Sequence, residues 1–193
     1  MPPAAGDGAA AGAGAGMAQS ISRVTLEARE AGQVQAFLGR EALAGYDVVA
    51  VAPGDEEAFE TACASPACDL VALDLAQKLP FRLRRKTVAG ALARGAHFEI
   101  CYGGALRGVA ARTQLFSNAR ALVWATGGRG LVLSSGARGP LELRAPECVA
   151  NLATFFGLSG AQARAALREA PAAVLRRGAV RRRLAGAFQI TAA

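Results

Sequence analysis

Beyond residue 20 the chain alternates short apolar runs with stretches of helical period, and few folds accept that pattern. Val24 and Leu26 alternate with Arg23, Thr25 and Glu27, as in a half-buried strand. Val34, Phe37, Leu38 and Ala42 then share one helical face that closes at Gly45. Residues 47–51 read as a second strand. Pro53, Gly54 and Asp55 make a turn and an N-cap, and Glu56 and Glu57 fall in the first helical turn, where the macrodipole favours acids. A third strand at 70–73 leads through an irregular basic link, 78–86, to a helix with Val88 and Leu92 that stops at Gly95. Residues 97–101 form a fourth strand, and a helix over 111–126 places Leu115, Ala119, Leu122 and Val123 on one stripe before Gly127 and Gly128. Residues 130–134 are the fifth strand. Each strand is followed by a helix that carries the chain back, which predicts an α/β fold with a parallel sheet. The remainder is helical. Pro146 opens a helix with Val149, Leu152, Ala153 and Phe156 on one face, Ser159 and Gln162 form a capping box, and a basic helix covers 172–184.

Residues 1–20 are an Ala/Gly repeat with no side chain large enough to bury, so they are expected to be disordered. The expected organisation is a disordered segment at 1–20, one partial α/β domain at 21–186 and a tail at 187–193. With 52% hydrophobic but only 6% aromatic residues, the core must be built from Leu, Val and Ala with Phe as filler. No apolar run approaches the roughly 18 residues of a spanning helix, so no membrane partner is expected. The first 20 residues hold neither Lys nor Arg, which argues against a secretory or mitochondrial address. Cys63, Cys68, Cys101 and Cys148 match no zinc spacing and read as free, structural thiols, buried in a protein of a reducing compartment.

The formal net charge of +7 hides a split, because residues 1–77 hold 3 basic and 11 acidic side chains while residues 78–193 hold 19 and 4. The second part is the candidate polyanion-binding surface. Its densest stretch is Lys78, Arg82, Arg84, Arg85 and Lys86, with no acid among them and Phe81 available for stacking, which is the chemistry of RNA binding. A second cluster, Arg176, Arg177, Arg181, Arg182 and Arg183, can bind RNA, pair with an acidic partner or act as a nuclear localisation signal. Catalytic groups are scarce. Gly103-Gly104 and Gly127-Gly128 lack the spacing of a phosphate loop and read as turns. Ser134, Ser135 and Gly136 lie where α/β barrels place phosphate groups, with a plain turn as the competing reading. His97, the one imidazole, starts a strand with no nucleophile motif nearby and reads as structural. Asp74, Glu99 and Glu142 are too few acids for a self-sufficient metal centre. No catalytic residue and no metal ligand is assigned.

Several stretches together carry a resemblance: YDVVAV at 46–51, CDLVALD at 68–74, KLPF at 78–81, ALARGAHFEICY at 91–102 and RGLVLSSGARGPLELRAPECVANLATFFGLSGAQARAAL at 129–167. In order over about 21–186, the chain resembles the 30-kilodalton protein subunit family of ribonuclease P and ribonuclease MRP. The resemblance implies a TIM-like (β/α) barrel, incomplete here because the family's first βα units are missing, with C-terminal helices. It also implies a non-catalytic subunit of a nuclear and nucleolar ribonucleoprotein, which supports RNA-catalysed removal of 5′ leaders from precursor tRNA and takes part in rRNA processing. The implied partners are the catalytic RNA, precursor tRNA and other protein subunits. No cofactor is expected on the protein, and Mg2+ is expected to be held by the partner RNA. Lys78, Arg82, Arg84, Arg85 and Lys86, with Arg138 and Arg144 of the 129–167 segment, become the RNA-binding candidates. Five strands fall short of the about eight that close such a barrel, so open strand edges are expected. The reading from a different class is a metal-dependent phosphoesterase on a related barrel, which needs a His- and Asp-rich centre that one His does not supply.

Overall fold

A computed structural model describes residues 20–187; apart from their boundary residues, the Ala/Gly segment and the tail lie outside the described residues. Five strands alternate with four helices: β1 (Arg23–Ala28), α1 (Ala31–Leu38), β2 (Val48–Pro53), α2 (Glu56–Ala64), β3 (Leu70–Ala72), α3 (Arg85–Ala93), β4 (His97–Cys101), α4 (Val109–Thr126) and β5 (Leu131–Ser134). Three helices follow: α5 (Pro146–Phe155), α6 (Gly160–Leu167) and α7 (Glu169–Ala187). All strand pairs are parallel and lie in chain order, β1-β2-β3-β4-β5, so each unit adds its strand on the same side, as in a barrel. Among the described residues β1 and β5 each have one neighbour, and the barrel is open between them.

Local chemistry sets most boundaries. The Asp55 carboxylate accepts the Ala58 N–H at 2.7 Å and starts α2. Ser159 and Gln162 close a reciprocal capping box at α6. Pro146 occupies the first turn of α5, and Gly127 (φ 64°) ends α4 in the left-handed conformation. The first helix differs from expectation. It ends at Leu38, because the Arg40 N–H bonds the Phe37 carbonyl at 3.1 Å and tightens the chain into a separate 3₁₀ turn, Glu41–Gly45. Ala42 is thereby exposed, and Leu43 is the residue that goes inside.

The two faces of the sheet have different partners. Val51, Val71, Phe98, Ile100, Leu131 and Leu133 point outward into a core shared with Phe59, Leu115, Leu122 and Phe156 of the surrounding helices. Val48, Ala50, Leu70 and Val132 point inward, where an unclosed barrel would leave them wet. Parallel strands need cover on both faces. Here α7 crosses the inner face and buries Val174 against those four side chains, with Ala170 and Leu175 beside it. The inner face is therefore covered where α7 lies, while the expected open edges are β1 and β5 among the described residues.

Charge holds α7 in place. Asp69 is fully buried; its Oδ2 accepts the Val49 N–H at 2.9 Å and the Arg181 Nε–H at 3.0 Å. Arg181 also donates to the Leu43 and Tyr46 carbonyls at 2.9 Å each. Arg177 stands 3.5 Å from Asp69 Oδ1 and donates to the carbonyls of Pro66 at 2.7 Å and of Arg94. Arg182 pairs with Asp47, and a Cβ at Gly178 would run into the Asp47 carbonyl, so glycine is what admits so close a crossing. Arg177, Arg181 and Arg182 pair with acids of the chain itself, not with the acidic partner that is one of the expected readings. Arg176 and Arg183 remain exposed.

Candidate nucleic-acid interface

The mouth of the open barrel, at the C-terminal ends of the strands, is a cleft of about 1000 Å³. Arg23, Arg29, Arg107 and Arg138 line it together with Glu27, Asp74 and Glu99. Arg23 on β1 grips Glu99 on β4 through paired bonds of 2.8 and 2.7 Å. Three strand spacings in a flat sheet would separate those strands by about 14 Å. The long reach of the two side chains spans most of that distance, and the small side chains of Ala50 and Ala72 on the strands between leave room for it. The buried Glu99 is thereby neutralised, and its hydrogen bond raises the Arg23 guanidinium above its ordinary pKa.

A second clamp sets the rim. Arg107 Nε and Nη2 hold Glu142 at 3.1 and 2.8 Å, Arg107 Nη2 also donates to the Gly136 carbonyl at 2.5 Å, and the Arg138 N–H donates to Glu142 at 2.8 Å. These donors, Arg107 foremost, pull the Glu142 carboxyl down to about 2. The Gly103 N–H bonds the Ser135 carbonyl at 2.8 Å, so the loops after β4 and β5 are locked to each other. Ser134, Ser135 and Gly136 serve this lock: the Ser134 hydroxyl meets Cys101 Sγ at 3.1 Å, and the Ser135 hydroxyl accepts the Ala137 N–H at 3.3 Å. Sequence reasoning missed Arg107 and Asn118, whose Nδ2 donates to the Leu75 and Gln77 carbonyls at 2.9 and 2.7 Å and fixes the loop ahead of Lys78. Arg107 had one available signal, its position just after a Gly-Gly turn.

The basic link does not act as one patch. Leu79, Phe81 and Leu83 alternate with Lys78, Arg82 and Arg84, and the apolar set points inward. Phe81 is buried, stacked 4.9 Å from the Phe59 ring, so the aromatic expected to meet RNA belongs to the core. Lys78 and Arg82 are exposed and form no ion pair among the described residues. Arg84 turns toward α2 and pairs with Glu56 at 2.7 Å and Glu60 at 3.8 Å. Arg85 lies over the ring of Trp124 on α4, and Lys86 stands beside it on the α3 side of a separate groove. Arg138 reaches the mouth cleft. Arg144 donates to the Leu141 and Leu143 carbonyls at 2.6 and 2.8 Å, while its N–H donates to the Tyr102 hydroxyl at 3.1 Å. Arg138 therefore lines the mouth, Lys78 follows Gln77 of its lining, and Arg85 and Lys86 line the separate groove.

His97 is half-buried, its Nδ1 3.0 Å from the Gly95 carbonyl, and burial holds its pKa below the ordinary value. Burial also pushes the Cys63 and Cys68 thiols up to about 12, so both are inert, whereas Cys148, expected to be buried, is exposed. Among the described residues no three His, Cys, Asp or Glu side chains cluster as metal ligands.

The mouth geometry can be set beside known proteins. A protein of Mus musculus named ribonuclease P protein subunit p30 is 42% identical over 137 residues, covering 71% of this chain and 51% of that protein. The Arabidopsis thaliana protein GAMETOPHYTE DEFECTIVE 1 is 39% identical over 77% of this chain and 26% of its own length. The probable ribonuclease P protein subunit 3 of Schizosaccharomyces pombe is 36% identical, with 83% and 68% covered. The chain thus spans from about a quarter to two thirds of the length of these relatives. A chain in a cryo-EM structure of archaeal ribonuclease P with mature tRNA shares the fold at a TM-score of 0.68 and 11% identity, over 85% of this chain and 70% of that one. The family model described as RNase P subunit p30 matches residues 12–183, and on that match the chain belongs to the p30 family of ribonuclease P subunits.

Proposed function

We propose that this protein is a non-catalytic, RNA- and protein-binding subunit of the ribonuclease P and MRP ribonucleoproteins. In that role it supports RNA-catalysed removal of 5′ leaders from precursor tRNA, and rRNA processing, in the nucleus and nucleolus. The observation that carries the reading is the family match over residues 12–183. The site chemistry agrees with it: the buried acid at the mouth is tied up by Arg23, and the only imidazole is held by a backbone carbonyl. Exposed Arg138 at the mouth and Lys78 next to it offer phosphate contacts, and Val109 and Leu141, 76% and 91% exposed, offer apolar contact to neighbouring subunits. Mg2+ is assigned to the RNA, where it would supply charge stabilisation at the scissile phosphate.

The test is affinity capture from nuclear extract with sequencing of the co-purified RNA, beside a phosphatase assay of the purified chain with Mn2+. Recovery of ribonuclease P or MRP RNA supports the proposal. A metal-dependent phosphatase activity, or capture without either RNA, refutes it.

A further inference from the structure

Trp124 is the only tryptophan in the chain, and 64% of it is exposed on α4. So large a wet aromatic face is available to stack against a ligand. The Arg85 guanidinium lies 4.8 Å from the ring centroid, over one face. Beside it a groove of about 740 Å³ runs between α3 and the end of α4, floored by Ala89, Leu92 and Ala93 and edged by Arg85, Lys86 and Arg129. At His97 and Gly130 the groove opens into a second cleft of about 370 Å³ that extends to Arg176 on α7. Arg85, Lys86, Arg129 and Arg176 are exposed and form no ion pair among the described residues. Glu169 is the one acid lining either cleft. No residue of the groove lines the barrel mouth.

A row of unpaired cations along an apolar groove suits any polyanion, and the exposed indole narrows the choice. Duplex RNA offers backbone and grooves but no open base face, whereas unpaired bases stack on aromatic rings and guanidinium planes. An acidic peptide would satisfy the cations and leave the ring unused. We infer that the α3–α4 groove binds single-stranded RNA, with one base stacked on Trp124 and the adjoining phosphates led along Arg85, Lys86 and Arg129 toward Arg176, a second RNA surface that rests on the RNA-subunit reading above.

Because Trp124 is the sole indole, the protein's own tryptophan fluorescence reports stacking directly. The full chain is titrated with a short single-stranded polyadenylate, the same sequence as a duplex, heparin and polyglutamate. Single-stranded RNA is expected to quench the emission saturably, and the other three far less. Trp124→Ala is expected to weaken single-strand binding about 5- to 150-fold, the range of base–aromatic stacking, with Trp124→Phe recovering part of the loss. Arg129→Glu should lower the dependence of log K on log salt by about 0.7. Thermal melts check that these exposed substitutions leave the fold intact. If RNA binds but Trp124 emission and the Trp124→Ala affinity do not change, the stacking site is wrong and the RNA-subunit reading stands. If polyglutamate quenches as well as RNA, the groove is a peptide site and the inference falls. Failure of the intact chain to bind any RNA overturns both.

Discussion

Replacing Asp69 with Asn removes the charge that anchors α7 while keeping its shape. Asn can still accept the Val49 N–H that Asp69 holds at 2.9 Å, so the backbone bond survives. What disappears is the negative charge facing Arg181 at 3.0 Å and Arg177 at 3.5 Å, in a site where Asp69 is fully buried and the two arginine side chains are only 13% and 20% exposed. Breaking a buried pair from one side costs about 3–5 kcal/mol, because the remaining charge stays out of water. Both guanidinium groups keep carbonyl partners, Leu43 and Tyr46 for Arg181 and Pro66 and Arg94 for Arg177, which places the cost near the lower end, about 3 kcal/mol. For a chain of this size that lowers Tm by about 6–12 °C. Urea unfolding followed by circular dichroism checks it: the midpoint should move to lower denaturant at an unchanged slope. A loss below about 1 kcal/mol would refute the reasoning and mean that the carbonyl bonds alone seat the helix.

The other expectations concern single groups. Arg84→Ala breaks only the exposed pairs with Glu56 and Glu60, so chemical denaturation should register less than about 1 kcal/mol. Gly103→Ala would put a Cβ 2.5 Å from the Ser135 carbonyl oxygen and should cost about 1–3 kcal/mol. Gly32→Ala, a helical position with open space around it, should instead stabilise by about 0.5–1 kcal/mol in the same assay. His97 has its folded pKa depressed by burial, so at falling pH the unfolded chain takes up the proton first. Stability should therefore drop as pH falls below about 6.5 and keep dropping until the folded value is passed. A pH series of melts should show that slope flattened in His97→Asn.

What could be read from the sequence was what depends on near neighbours. The cap at Asp55, the box at Ser159 and Gln162 and the helix stop at Gly127 each need four residues or fewer, and each is found where expected. The inner strands were legible because a parallel strand between helices is apolar on both faces, as Val48 to Val51 are, and β1 because Val24 and Leu26 alternate with polar residues. The candidate site was less legible. Phe81 is separated by single residues from Leu79 and Leu83, a period of two that marks an inward-facing row, but the interleaved charges drew attention to the outer row instead. Arg23 and Glu99 are 76 positions apart and meet only because the sheet order sets β1 and β4 within side-chain reach. Arg182 finds Asp47 across 135 positions, so nothing local distinguishes it from the exposed Arg183 beside it.

The seating of α7 also orders events during synthesis. Asp69 is followed by 112 residues before Arg181 exists to neutralise it. At about 5–20 residues per second, translation takes roughly 6–20 s to supply that partner. Through that interval the β1–β3 segment has a carboxylate that cannot be buried unpaired, so the inner face formed by Val48, Ala50 and Leu70 stays hydrated and unsealed until the last helix leaves the ribosome. A chaperone acting on the nascent chain would find its target in that face, and ribosome-bound chains arrested before and after Arg181 should differ in protease sensitivity at β2 and β3 rather than at α2, which is capped from within by Asp55.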